Sequence, residues 1–221
     1  MRCFRSWLVT VAVGGMLLTG AAAVAAEEPT EDPPEGPGET ALLIIDIQAF
    51  YFPEGMVPLV NAGEAAARAG ELLGCFRRAG RPVVHVQHLP KGVDRPDPTE
   101  IDSQYRIHPD VLPKPGEPVI GKHHANSFRD TELEATLREL GVKRLVVAGM
   151  QTHMCVEAAV RAAADLGFEV TVAHDACATR NLSFEGTTVP AGHVHAAALA
   201  AMASSYAEVA SVATICREVS K

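Results

Sequence analysis

Beyond the first forty positions, apolar and polar residues alternate between two regimes. Short unbroken apolar runs read as strands buried on both faces, and longer stretches with a repeat near 3.6 read as helices. Ala41–Asp46 (ALLIID) is one such run, closed by a carboxylate. Pro82–His88 (PVVHVQH), the shorter Pro118–Lys122 (PVIGK), Arg144–Gly149 (RLVVAG), Glu169–Ala173 and Val209–Thr214 complete the strand set. Helices are predicted over Asn61–Ala79, Thr131–Leu140, Cys155–Leu166 and Ala191–Tyr206. Gly80, Gly141 and Gly167 stop the first three, and Thr131 with Glu134 forms a candidate capping box. Strand and helix alternate, which requires crossover connections and parallel strands. The fold class expected is therefore α/β, a three-layer α/β/α domain on a mainly parallel sheet.

Two connections break the rhythm. Leu89–Glu117 is rich in proline, and Cys177–Pro190 is irregular; loops of such length inside compact domains are usually functional. Phe50, Tyr51, Phe52, Tyr105, Phe128 and Phe184 all fall in connections. Aromatics placed there suit a pocket for a planar or apolar group, and some of them plug gaps.

The start of the chain has a different composition. Arg2 and Arg5, an apolar run from Trp7 to Leu18 and the small residues Ala21–Ala26 have the form of a secretory signal peptide over residues 1–26. The run is short for a membrane span, so no stable membrane anchor is expected after cleavage. Residues 27–39 (EEPTEDPPEGPGE) read as an acidic, Pro-rich linker, and residues 40–221 as the folded domain. The localisation expected is periplasmic or secreted.

Composition then narrows the partners. The chain has 221 residues, 48% hydrophobic and 21% charged, enough for one domain and too apolar for a disordered chain. Its formal charge is −8 and it holds no basic stripe, which argues against a nucleic-acid partner. Gly-rich phosphate loops of the GxGxxG and GxxxxGK[ST] types are absent. Beyond the leader lie Cys75, Cys155, Cys177 and Cys216, with no CxxC pair.

In open parallel sheets ligands bind beyond the carboxyl ends of the strands. Three reactive side chains are expected at that edge: Asp46 after the first strand, Lys122 after PVIGK, and Cys155 at the start of a helix. A helix N-terminus and a nearby ammonium both favour thiolate. Nucleophile, base and cation together suit thiolate acyl transfer. Each residue also has an ordinary reading. Cys155 could be a small buried hydrophobe, Asp46 a turn cap, and Lys122 a solvated loop charge.

Four segments carry a resemblance. Leu42-Leu43-Ile44-Ile45-Asp46-Ile47-Gln48, Gly121-Lys122 with Asn126-Ser127-Phe128, Gly149-Met150-Gln151-Thr152-His153-Met154-Cys155-Val156, and His174-Asp175-Ala176-Cys177-Ala178-Thr179 occur in order. Together they resemble the isochorismatase-like cysteine hydrolases over roughly residues 40–215. The resemblance implies a Rossmann-like, mainly parallel six-stranded sheet and an Asp-Lys-Cys triad. Asp46 would be base and proton shuttle, Lys122 would hold Asp46 and stabilise thiolate, and Cys155 would attack a carbonyl carbon. It also implies a cis peptide at Met150–Gln151, which aims the backbone N–H of Gln151, with that of Cys155, at a developing oxyanion. Gln48, Phe50, Phe52, Phe128 and His153 would line the substrate. The implied activity is hydrolysis of an amide-type C–N bond in a small molecule through a thioester, without a cofactor, by a homo-oligomer.

Isochorismatases that cleave a vinyl ether lack the cysteine. Nicotinamidases carry an Asp-x-His metal motif, where this chain reads Val86-Gln87-His88-Leu89-Pro90. No catalytic metal is therefore expected. The remaining histidine pairs, His85 and His88, His123 and His124, and His193 and His195, fit no metal spacing well. A competing reading joins Cys155 to Cys177 in a disulfide and makes the chain a redox-responsive or non-catalytic binding protein.

Overall fold

A computed structural model describes residues 39–93 and 101–220. The readings of residues 1–26 and, Glu39 apart, of the linker lie outside them.

Six strands form one parallel sheet: β1 (Thr40–Ile45), β2 (Val83–His88), β3 (Val119–Lys122), β4 (Arg144–Met150), β5 (Glu169–Ala178) and, after a hairpin, β8 (Glu208–Ala210). Their order is β3-β2-β1-β4-β5-β8. The chain reverses its direction of travel across the sheet between β1 and β4, the switch point at which such sheets bind ligands. Side chains alternate across a strand, and both faces of this sheet are covered. On β1, Leu42 and Ile44 enter one apolar cluster with Ala66, Leu72 and Phe76 of α1 (Ala62–Arg78) and Ile215 of α5 (Val212–Val219). Leu43 and Ile45 enter the other. That second cluster holds Leu137 of α2 (Leu133–Glu139), Val160 of α3 (Glu157–Asp165) and Met202 of α4 (Ala191–Ala203). The result is three layers, and it explains why the strands read as continuous apolar runs.

Four expectations are corrected. The run Val209–Thr214 is not one strand: β8 stops at Ala210, and Ser211 caps α5, its Oγ accepting from the Thr214 N–H at 3.2 Å. Val212, Ile215 and Val219, at helical spacing, are the buried face of that helix. The capping box does not form. The Thr131 hydroxyl donates to the Ser127 carbonyl at 2.6 Å and accepts from Leu133 N–H, while Glu134 faces Arg138. Within Cys177–Pro190 there is order: β5 runs on to Ala178, and β6 (Leu182–Phe184) pairs with β7 (Thr187–Val189). Glu185 and Gly186 both have positive φ, as a tight two-residue hairpin turn needs.

The fourth correction concerns cysteine. Cys155 and Cys177 are both free and buried, and the disulfide joins Cys75 to Cys216, tying α1 to α5 across 141 residues. The redox reading built on them has no structural basis.

Candidate active site

β1 and β4 approach each other tightly where the site begins. Ile45 pairs with Gly149. Gly149 has φ 144°, and a Cβ there would lie 2.1 Å from the Ile45 carbonyl oxygen. Only glycine allows that approach. Asp46, the next residue of the β1 segment, takes φ 51°, rare for a residue with a side chain, while its N–H donates to the Val86 carbonyl at 3.0 Å. The turn out of the strand therefore leaves the carboxylate in the interior instead of releasing it to solvent.

Lys122 ends β3 and pairs in register with His88 of β2. It must reach across the end of β2, and its long side chain does so: Nζ lies 2.7 Å from Asp46 Oδ2, with both side chains fully buried. The ammonium also donates to the His124 carbonyl at 3.0 Å. After β4, the Met150–Gln151 peptide is cis, and Thr152–Val156 forms one wide helical turn leading into α3. Cys155 sits in that turn, 8% exposed, with its thiol against both the Asp46 carboxylate and the Lys122 ammonium. Apart from those two groups no donor reaches the Asp46 oxygens among the described residues. A buried carboxylate is usually fully hydrogen-bonded, so this one keeps its acceptor capacity unspent.

The electrostatics differ from the sequence-based expectation of a ready thiolate. Burial, reinforced by the Asp46 charge and only partly opposed by Lys122, pushes the Cys155 thiol up to about 12. Burial works against the Lys122 ammonium too, but the Asp46 carboxylate holds it above its ordinary value. The resting cluster is thus an ion pair beside a protonated thiol.

The other expected site residues divide. Gln48 spends its amide on backbone groups. Its Nε2 donates to the His88 and Tyr105 carbonyls at 2.9 and 2.6 Å, and its Oε1 accepts from the His88 N–H at 2.8 Å. It clamps the loop after β1 to β2 and to the segment around residue 105. Phe50 is buried against Tyr51 and Tyr105, and Phe52 stacks on His108 at 4.0 Å. Phe128 is half-buried on the apolar cluster that contains Cys155, 6.2 Å from Phe168. His153, half-buried, shares a 2.6 Å hydrogen bond with the Thr179 hydroxyl.

Two residues stand at the site in roles the sequence did not assign them. Tyr51 accepts a hydrogen bond from Gln151 Nε2 at 3.3 Å, joining the Asp46 loop to the cysteine turn. Burial and the nearby Asp46 and Cys155 raise its hydroxyl well above the ordinary range. It was one aromatic among three in Phe50-Tyr51-Phe52, and its phenolic oxygen was the signal. His88 lies edge-on to Phe50, and burial holds it below its usual value against the pull of Asp46.

An Isochorismatase domain model matches residues 40–214, from the first residue of β1 into α5. The chain belongs to the isochorismatase family. Its relatives in that family include the uncharacterized isochorismatase family protein YddQ of Bacillus subtilis, 47% identical over 174 residues, covering 77% of this chain and 94% of YddQ. Streptothricin hydrolase of Streptomyces noursei is 37% identical over 144 residues, covering 64% of this chain and 50% of that protein. Among solved structures, an isochorismatase from Pseudomonas putida is 38% identical, with a TM-score of 0.74 over 83% of this chain and 93% of that one. The sheet order and layers described above are those of an isochorismatase-family α/β fold.

Proposed function

We propose that the protein is a cysteine hydrolase of an amide-type C–N bond in a small molecule. The observation that carries this is the buried 2.7 Å Asp46–Lys122 pair with the Cys155 thiol against both members. The kinship with a hydrolase named for streptothricin supports a hydrolytic reaction. Asp46, otherwise unpartnered, takes the Cys155 proton as sulfur adds to the substrate carbonyl carbon. Lys122 keeps the neighbourhood positive while the thiolate forms. The carbonyl oxygen, now anionic, is received by the N–H groups of Gln151 and Cys155; a single such donor is worth about 3–4 kcal/mol in the transition state. Collapse of the adduct breaks the C–N bond, and the leaving nitrogen takes the proton back from Asp46. Water then attacks the thioester, gives its proton to Asp46, and releases the acid and the thiol. Holding the thiol neutral until the carbonyl arrives protects it from adventitious oxidation.

The setting follows the same reading. A chain exported by its leader and folded in an oxidising compartment would form Cys75–Cys216, and the presence of that bond supports a periplasmic or secreted protein.

The test is a screen of small primary and secondary amides, following release of ammonia or amine, with intact-mass detection of an acyl adduct. Turnover with an adduct on the Cys155 peptide, both lost in Cys155→Ala, is expected. Turnover retained in Cys155→Ala contradicts the mechanism.

A further inference from the structure

The segment His174-Asp175-Ala176-Cys177 has no part in the acyl-transfer chemistry, yet the sheet is distorted to accommodate it. One step of two residues along β4, Val147 to Gly149, is matched by five along β5, Val172 to Cys177. The extra residues bulge out of the ladder, and bulges re-aim side chains beside functional sites. Here they face a cavity of about 260 Å³ between the starts of α1 and α4. The acidic Glu64 and Asp175, with Asn61, His174, Cys177, Thr179 and His195, supply its polar lining. Cys155, Asp46 and Lys122 are not among the lining residues.

The chemistry of the lining is one-sided. It contains two carboxylates and neither lysine nor arginine. Asp175 spends Oδ1 on the Val212 N–H at the start of α5 and leaves Oδ2 without a partner among the described residues. Glu64 stands exposed in the first turn of α1 with no ion-pair partner among the described residues. Arg68 is the guanidinium within electrostatic reach of both, and it is engaged by Glu71 at 2.8 Å. At the start of α4 the positive helix end is partly answered, since Asn181 Oδ1 takes the Ala191 N–H at 2.8 Å. His195 is held below its ordinary value by burial, with His174 adding to the effect, so it brings no positive charge at neutral pH. Val60, Ala65, Ala178 and Ala191 give the rest of the wall an apolar surface. Among the described residues no three His, Cys, Asp or Glu side chains converge as a metal site.

We infer that this cavity binds a small organic ammonium ion, with the charged head between Glu64 and Asp175 and the alkyl part against the alanines and Val60. The volume lies just below the usual range of small-molecule pockets, and the mixture of a few polar groups with apolar wall is theirs. The site is distinct from the cysteine cluster but tied to it. His195 Nδ1 is 2.9 Å from the Thr152 hydroxyl, and Thr179 holds His153; both Thr152 and His153 belong to the turn that carries Cys155.

The experiment is calorimetric titration of the intact protein with n-butylammonium chloride at fixed ionic strength. Sodium chloride and 1-butanol serve as the charge-only and shape-only references. One saturable site for butylammonium, absent for both references, is expected. Glu64→Gln, on an exposed position that leaves the core untouched, weakens it by roughly 5-fold, and Glu64→Lys abolishes it. No saturable binding, equal binding of 1-butanol, or an affinity unchanged in both Glu64 variants overturns the inference. None of these results depends on whether Cys155 is a nucleophile.

Discussion

An ion pair stands at each end of β3, half-buried Arg77–Glu117 at its entry and fully buried Lys122–Asp46 at its exit, and the two are built in opposite ways. At its entry Glu117 is saturated. Arg77 grips it through Nε and Nη2 at 2.8 Å each, the Lys114 N–H donates to it at 2.8 Å, and His85 Nε2 lies 3.0 Å away. Burial alone would raise the Glu117 carboxyl, but those donors bring it down to about 2. At its exit Lys122 meets Asp46, whose oxygens take no hydrogen bond beyond the ammonium and the thiol among the described residues. Placing two charges in the interior costs several kcal/mol per ion, and only full hydrogen bonding offsets it. The Glu117 end meets that condition and acts as structure. The Asp46 end does not, and its unsatisfied acceptors are what a proton shuttle needs.

The largest effect expected from breaking this contrast is at the exit. Lys122→Ala leaves Asp46 buried and unpaired and should lower stability by about 3–5 kcal/mol in denaturant unfolding. The double variant Asp46→Asn with Lys122→Met should recover most of that loss while remaining inactive. Failure to recover it would mean that the pair serves stability as Glu117 does. A covalent tie gives a scale for comparison. Removing Cys75–Cys216 with Cys75→Ala and Cys216→Ala should cost about 2–5 kcal/mol because the bond closes a long loop. Thermal unfolding with and without reductant checks it, with the wild type sensitive and the double variant not.

The entry pair should respond more mildly. Glu117→Gln is expected to cost about 1–3 kcal/mol through lost charge-assisted hydrogen bonds and to leave turnover unchanged. Its pH dependence has a fixed sign. The Glu117 carboxyl is lower in the folded state than its ordinary 4.5, so its contribution is complete above that value and lost as pH falls from about 4.5 to 2. The wild-type melting temperature should drop more steeply through that window than that of Glu117→Gln. The smallest effect is at Tyr51. Tyr51→Phe removes one neutral hydrogen bond to Gln151, for about 1 kcal/mol of stability at most, and should lower kcat/KM by roughly 3- to 10-fold.

The sequence was legible where local pattern and chemistry coincide. Apolar runs such as Ala41–Ile45 alternate between two cores, so they announce a doubly covered parallel strand. The strand ends then single out Asp46, Lys122 and Cys155. What could not be read depends on distant partners. Gln48 is a clamp because its partners, two carbonyls and one N–H, are backbone groups of residues 88 and 105. The disulfide joins helices far apart in sequence, and Val209–Thr214 became a strand, a cap and a helix because Ser211 could bond its own chain. The protonation of Cys155 was hidden for the same reason. A helix start argues for thiolate, and only the fold reveals how deeply the sulfur is buried beside a carboxylate.

The most direct measurement is the pH dependence of Cys155 alkylation by iodoacetamide, located by peptide mass, in the wild type and in Asp46→Asn. With the resting thiol pushed up to about 12 by burial and by Asp46, wild-type labelling should still be rising at pH 10. Asp46→Asn removes the opposing charge and leaves Lys122 in place, so its midpoint should move down. A wild-type midpoint below the ordinary cysteine value of about 8.5, or one that Asp46→Asn leaves unmoved, would contradict a thiol held protonated beside its base.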